Sequence, residues 1–140
     1  MKKFVFVMMF VLMLALSACG GGGDTDTAND AVEVPAEYAG KTNPVANDAA
    51  AVAAGKDIYA TNCASCHGDA GAGDGPAGSA LDPKPAALNA LGSEITDNFL
   101  FWRISEGGAM EPFNSSMPAF KGVLTEEQIW QTVHFIRSLK

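Results

Sequence analysis

Basic residues are scarce: nine lysines and arginines stand against sixteen aspartates and glutamates, for a formal net charge of -7. An acidic chain repels phosphates, which argues against a nucleic-acid binder. Long apolar runs are missing too. The longest, Phe4 to Leu16, covers thirteen residues, and a helix needs about 20 to cross a bilayer. That argues against a permanent transmembrane anchor. Sustained alternation of apolar and polar residues is absent, so strands are not expected. Histidine occurs twice and cysteine three times, at Cys19, Cys63 and Cys66. An odd cysteine count in an exported chain asks for a use other than disulfides.

Lys2 and Lys3 precede the apolar run, and Leu16-Ser17-Ala18-Cys19 follows it. A positive start, an apolar stretch and small residues before a cut describe a secretory leader. The ending resembles the lipobox of bacterial lipoproteins. That resemblance implies cleavage before Cys19, a diacylglycerol on its thiol and acylation of the new amino group. Two or more acyl chains hold a protein stably at a membrane. Losing Lys2 and Lys3 takes the charge from -7 to -9, which suits a protein partner with a basic docking surface.

Three segments are therefore expected: a leader over 1–18, lipidated Cys19 with a tether over 19–46, and a folded domain over 47–140. The tether opens with Gly20 to Gly23 and continues through Asp24, Asp26, Asp30, Glu33, Pro35, Glu37 and Pro44. Such a stretch buries too little apolar surface to offset the entropy of ordering it. A flexible chain of this length spans roughly 30 Å.

The folded part reads as all-α, with three main helices. The first spans about Asp48 to Asn62. Asp48 suits a cap, and Val52, Gly55 and Tyr59 share one face. The second spans about Asp97 to Glu106 and stops at Gly107-Gly108. Phe99, Leu100, Phe101, Trp102 and Ile104 make it apolar enough to need a large neighbour, a core or a flat cofactor. The third starts at Glu126, after a capping box from Thr125 to Gln128 and a staple between Leu124 and Ile129. Its stripe is Ile129, Val133, Ile136 and Leu139. Gly68 to Leu91 lacks a regular pattern, as functional loops do. Three helices in so short a chain make a thin core, which a large apolar cofactor would fill.

Cys63-Ala64-Ser65-Cys66-His67 has the spacing that attaches haem c. Cysteines three apart lie on one side of a helical turn. Each thiol reaches one vinyl group, and the adjacent histidine binds the iron. A thioredoxin-type pair needs a βαβ setting that is missing. A zinc site needs four ligands, and adjacent Cys66 and His67 chelate poorly. Low-spin carriers pair the histidine with a second strong ligand, often methionine. Four of the six methionines lie in the leader, leaving Met117, Met110 and His134. Pro118 stiffens the backbone beside Met117, which makes it the first choice and Met110 the second. His134 reads better as a helix-packing or solvated side chain.

Together these residues resemble the class I c-type cytochromes of bacteria over about residues 50–140. Gly55 and Tyr59 look like the family's N-terminal helix pair, and Phe135 like the aromatic that meets it. Gly68 to Pro76 resembles the glycine-rich loop, and Met117-Pro118-Ala119-Phe120 the axial methionine loop. Pro83 or Pro85 resembles the proline whose carbonyl accepts from the axial histidine. Trp102 and Arg103 could reach a haem propionate, or serve as core packing and a solvated cation.

The resemblance implies a small cytochrome c fold, with N- and C-terminal helices crossing beside one covalent haem c. Cys63 and Cys66 would hold the haem, and His67 and Met117 its iron. It implies a one-electron carrier, not an enzyme, between extracytoplasmic redox partners. The place would be a bacterial cell envelope, facing the periplasm or the exterior. A haem subunit of a larger membrane complex, or a haem enzyme or gas sensor with a displaceable methionine, are the alternatives.

Overall fold

The computed structural model describes residues 32–46 and 48–139. The leader, Cys19 and the first part of the expected tether lie outside the described residues.

Five helices are described: α1 (Ala36–Ala39), α2 (Ala49–Asn62), α3 (Ala64–His67), α4 (Asp97–Glu106) and α5 (Glu126–Ser138). A short 3-10 turn covers Leu88–Ala90, and no strand occurs among the described residues. The three long helices fall where the sequence places them, and α2 and α5 carry side-chain caps. The Asp48 carboxylate accepts from the Ala50 amide at 2.8 Å. The Thr125 hydroxyl accepts from the Gln128 amide at 3.2 Å, and the Gln128 side chain returns the bond at 2.9 Å. Two otherwise unpaired amides at the start of α5 are satisfied this way.

The largest helix contact is between α2 and α5. Gly55 makes it possible, because the Gln131 carbonyl and Phe135 occupy the space a side chain would need. Tyr59, one turn on, is 1% exposed, and its ring lies 5.1 Å from that of Phe135. The core continues into α4, where Phe101 stacks on Trp130 with centroids 4.2 Å apart. Leu100, Ile104, Ile129, Val133 and Ile136 close the cluster. Each such side chain contributes roughly 1.5–3 kcal/mol on burial.

The tether was expected to reach residue 46, yet residues 32–46 are packed on the domain. Tyr38 of α1 is only 4% exposed and faces the Phe101 ring at 6.1 Å. Asn98 donates to the Ala39 carbonyl at 2.9 Å, and Lys41 pairs with Glu126 at 3.0 Å. Val32, Val34 and Val45 lean on the core. The acidic and proline-containing composition hid four apolar side chains spaced to meet one surface.

Candidate functional site

The Cys63–His67 segment begins where α2 ends. The Cys63 amide still bonds to the Tyr59 carbonyl at 2.8 Å. Its own carbonyl then accepts from Cys66 at 3.1 Å and His67 at 2.9 Å, which starts the single turn of α3. The two cysteines are thus three apart on one helical turn, both half-buried and unbridged. Burial pushes the Cys63 thiol up to about 11, with the neighbouring Cys66 adding to it.

His67 follows on the same turn. Its Nδ1 lies 3.0 Å from the Ala86 carbonyl oxygen. A carbonyl can only accept, so Nδ1 carries the proton and Nε2 keeps its lone pair for a metal. The expected acceptor was the carbonyl of Pro83 or Pro85, and neither provides it. The Pro85 oxygen is turned towards Gly73, where a Cβ would stand 2.6 Å from it. The next carbonyl, that of Ala86, is the one that reaches the imidazole.

The glycine-rich loop wraps this turn and uses up its free carbonyls. Gly73 donates to His67 O at 2.8 Å, Gly75 to Cys66 O at 3.1 Å and Ala77 to Ser65 O at 2.9 Å. The buried Tyr59 hydroxyl donates to Gly68 O at 2.8 Å, tying α2 to the loop. Burial pushes the Tyr59 phenol up to about 12, with the Cys63 thiol adding to it, so it remains a donor.

A second loop, which carries both Met110 and Met117, runs from Gly107 to Phe120. Gly107 has φ +73, a conformation side chains rarely adopt, and a Cβ there would stand 2.6 Å from the Met117 carbonyl. Gly108 donates to Met117 O at 2.9 Å, and Ser115 to Gly108 O at 2.7 Å. The loop's two limbs are therefore laced together. Met117 is half-buried and packs against the same apolar cluster as Cys63.

Met110 has a different neighbour. Its Sδ lies 3.4 Å from the Arg103 guanidinium. That guanidinium also donates to the Gly107 carbonyl and lies 3.4 Å over the Phe113 ring. Burial lowers the Arg103 pKa from its usual value. Arg103, read in the sequence as a propionate donor or a solvated cation, thus makes its described contacts within the loop. Trp102 packs edge-on to Phe99 and Phe113, each at 5.7 Å. His134 sits half-buried within α5.

The donor set suits a haem. Among the described residues, no three His, Cys, Asp or Glu side chains converge to hold a bare ion. One imidazole with a free Nε2, two thiols on one turn and a thioether on the same cluster suit an iron whose other four ligands are porphyrin nitrogens. Sequence reasoning missed Ala86 and the Arg103–Phe113 contact. It also missed Tyr38, whose partners lie more than sixty residues away along the chain.

An all-α fold with crossing terminal helices and a Cys-x-x-Cys-His turn defines a class I c-type cytochrome. The family model for cytochrome c matches residues 52–140, and the chain belongs to that family. Its cofactor is covalently bound haem c, and it is a haem electron-transfer protein.

Among solved structures, the chain is similar to one from the reducing HAO-like protein complex of Kuenenia stuttgartiensis. The two are 27% identical with a TM-score of 0.53, and the match covers 65% of this chain and 44% of that one. It is also similar to cytochrome cL of the marine methylotroph Methylophaga aminisulfidivorans. There the identity is 25% and the TM-score 0.52, over 68% of this chain and 59% of that one. The chain thus spans about half the length of these relatives. No helix among the described residues is long and apolar enough to cross a membrane.

Proposed function

We propose that this is a single-haem carrier, tethered by lipid outside the cytoplasm, that passes one electron at a time between protein partners. Cys63 and Cys66 would hold the haem through thioethers, each made by adding S–H across a vinyl group, sulfur to one carbon and hydrogen to the other, with no oxidant needed. His67 would hold the iron through Nε2, and Met117 would be its second protein ligand. The haem supplies the one-electron couple. The chain would hold the iron by two side chains and keep water off it, and so would work as a carrier rather than an enzyme.

The His67–Ala86 bond carries this reading. It holds the imidazole in the tautomer that ligates, beside two thiols that no disulfide has used. The Arg103 cation against Met110 favours Met117, since a guanidinium beside a thioether opposes its use for a second cation. Methionine ligation raises the potential relative to two histidines. Lipid on Cys19, after removal of residues 1–18, is the proposed anchor, with a glycine-rich acidic stretch leading to the domain.

The test is a reduced-minus-oxidised spectrum with and without carbon monoxide, on the native protein and on Met117→Ala. The native ferric protein shows the weak far-red band of methionine ligation, and its ferrous form resists carbon monoxide. Met117→Ala loses the band and binds the gas. A band that survives in Met117→Ala would move the ligand to Met110. The acidic surface steers a basic partner, so electron exchange slows as salt rises. A stopped-flow rate indifferent to ionic strength would remove that partner.

The likeness to a chain of the HAO-like complex favours a second reading, a haem subunit of a larger assembly. Gel filtration of gently solubilised membranes separates the two: a carrier elutes alone, a subunit in company.

A further inference from the structure

Residues 32–46 lie ahead of the family match, which begins at residue 52. They nonetheless reach the loop that carries Met117. Glu106 is the last residue of α4, immediately before Gly107. Lys121 comes immediately after Phe120. These are the two feet of the 107–120 loop. The Phe120 amide bonds to the Ile104 and Ser105 carbonyls at 3.1 Å, and that of Lys121 to Ser105 at 3.0 Å, so the feet stand side by side.

Tyr38 closes the gap between them. Its hydroxyl donates to the Glu106 carboxylate. The Lys121 ammonium donates to Glu106 at 2.9 Å and to the Tyr38 oxygen at 3.4 Å. We infer that Tyr38 is a positioning residue for the axial loop: by clasping both its feet, the strap over 32–46 sets how readily Met117 leaves the iron. The inference rests on Met117 being the ligand.

The Lys121–Glu106 pair alone would do little, because Lys121 is 63% exposed and solvent-screened pairs are weak. The phenol changes this. Its ring is buried against Phe101, so its hydroxyl is held in place and brings little extra ordering cost. Glu106 is held below the usual carboxylate range, first by Lys121 and then by Tyr38. It therefore accepts from both at neutral pH. Asn98 fastens the strap to α4 through the Ala39 carbonyl. Detaching Met117 requires its loop to swing outward, and a loop with joined feet has fewer open conformations.

The experiment is imidazole titration of the ferric, haem-loaded full chain at neutral pH. Imidazole takes the iron position a methionine vacates, so its apparent affinity reports how often that position opens. Tyr38→Phe removes one oxygen and leaves the ring on Phe101. Its imidazole affinity should rise about tenfold, the weight of one hydrogen bond to a charged group. Lys41→Ala, which removes one solvent-screened pair with Glu126 and leaves the Tyr38 clasp intact, should stay within about twofold of the native protein.

Affinity unchanged in Tyr38→Phe would overturn the inference, and so would an equal rise in both variants. Met117→Ala separates this from failure of the ligand assignment. If that variant keeps the far-red band and the native imidazole affinity, Met117 is not the ligand, and the strap falls with it. If Met117→Ala loses the band while Tyr38→Phe is unchanged, only the strap falls.

Discussion

A chain carrying both Cys63→Ser and Cys66→Ser should come out of a host with working cytochrome maturation holding no haem that survives acid–ketone extraction. The native chain should keep all of it. Serine differs from cysteine by one atom, so the fold of α3 is undisturbed. What changes is chemistry: an unactivated hydroxyl is a far weaker nucleophile than a thiol and does not add to a vinyl group. Each single variant keeps one thioether and should retain haem with one vinyl group intact, seen as a red-shifted pyridine haemochrome band. His67 is untouched in all three, with its Nδ1 still 3.0 Å from Ala86 O. Haem that remained covalently bound in the double variant would end the attachment assignment.

Gly55→Ala should destabilise the domain by about 2 kcal/mol or more, and two opposing effects decide the sign. Alanine in a helix interior is favoured over glycine by about 1 kcal/mol. Against that, the new Cβ collides with the Gln131 carbonyl oxygen and stands 2.6 Å from its carbon and 2.9 Å from Phe135 Cβ. Two of those atoms belong to the backbone of α5 and cannot rotate away. The helices must separate, which also loosens the Tyr59–Phe135 contact at 5.1 Å. Overpacking in a tight core costs about 1–3 kcal/mol where side chains can adjust, and more where they cannot. Denaturant titration of the haem-loaded protein measures the difference. A midpoint equal to or above the native one would show that the crossing has slack.

The parts of this fold that were legible are those decided by local chemistry. Asp48 and the Thr125–Gln128 box mark helix starts, because a side-chain oxygen three residues or fewer from an unpaired amide acts within its own segment. Cys63 to His67 was readable for the same reason: one turn holds the whole motif. Gly55 and Phe135 are far apart in sequence, and it was the resemblance that joined them. The acceptor for His67 was not legible, since every residue carries a carbonyl and only the path of the loop selects Ala86. Nor was the fold of residues 32–46. Their acidic composition argued for solvent, and the partners that make Tyr38 worth burying, Phe101, Glu106 and Lys121, are more than sixty residues away along the chain. The contacts of Arg103 were hidden in the same way, because its aromatic and thioether neighbours come from the turn of a loop rather than from a helix face.

The partner of the His67 imidazole is an oxygen that all twenty amino acids possess, on a residue whose own side chain is exposed. Position 86 can thus drift in identity while its contribution to the haem pocket persists. A tally of residue types would rank it as unimportant. Its role is guarded by spacing, and adding or deleting a residue between 74 and 85 would carry that oxygen out of reach of the ring. For anyone retuning this cytochrome, the lever on the proximal side is the length of the connecting chain.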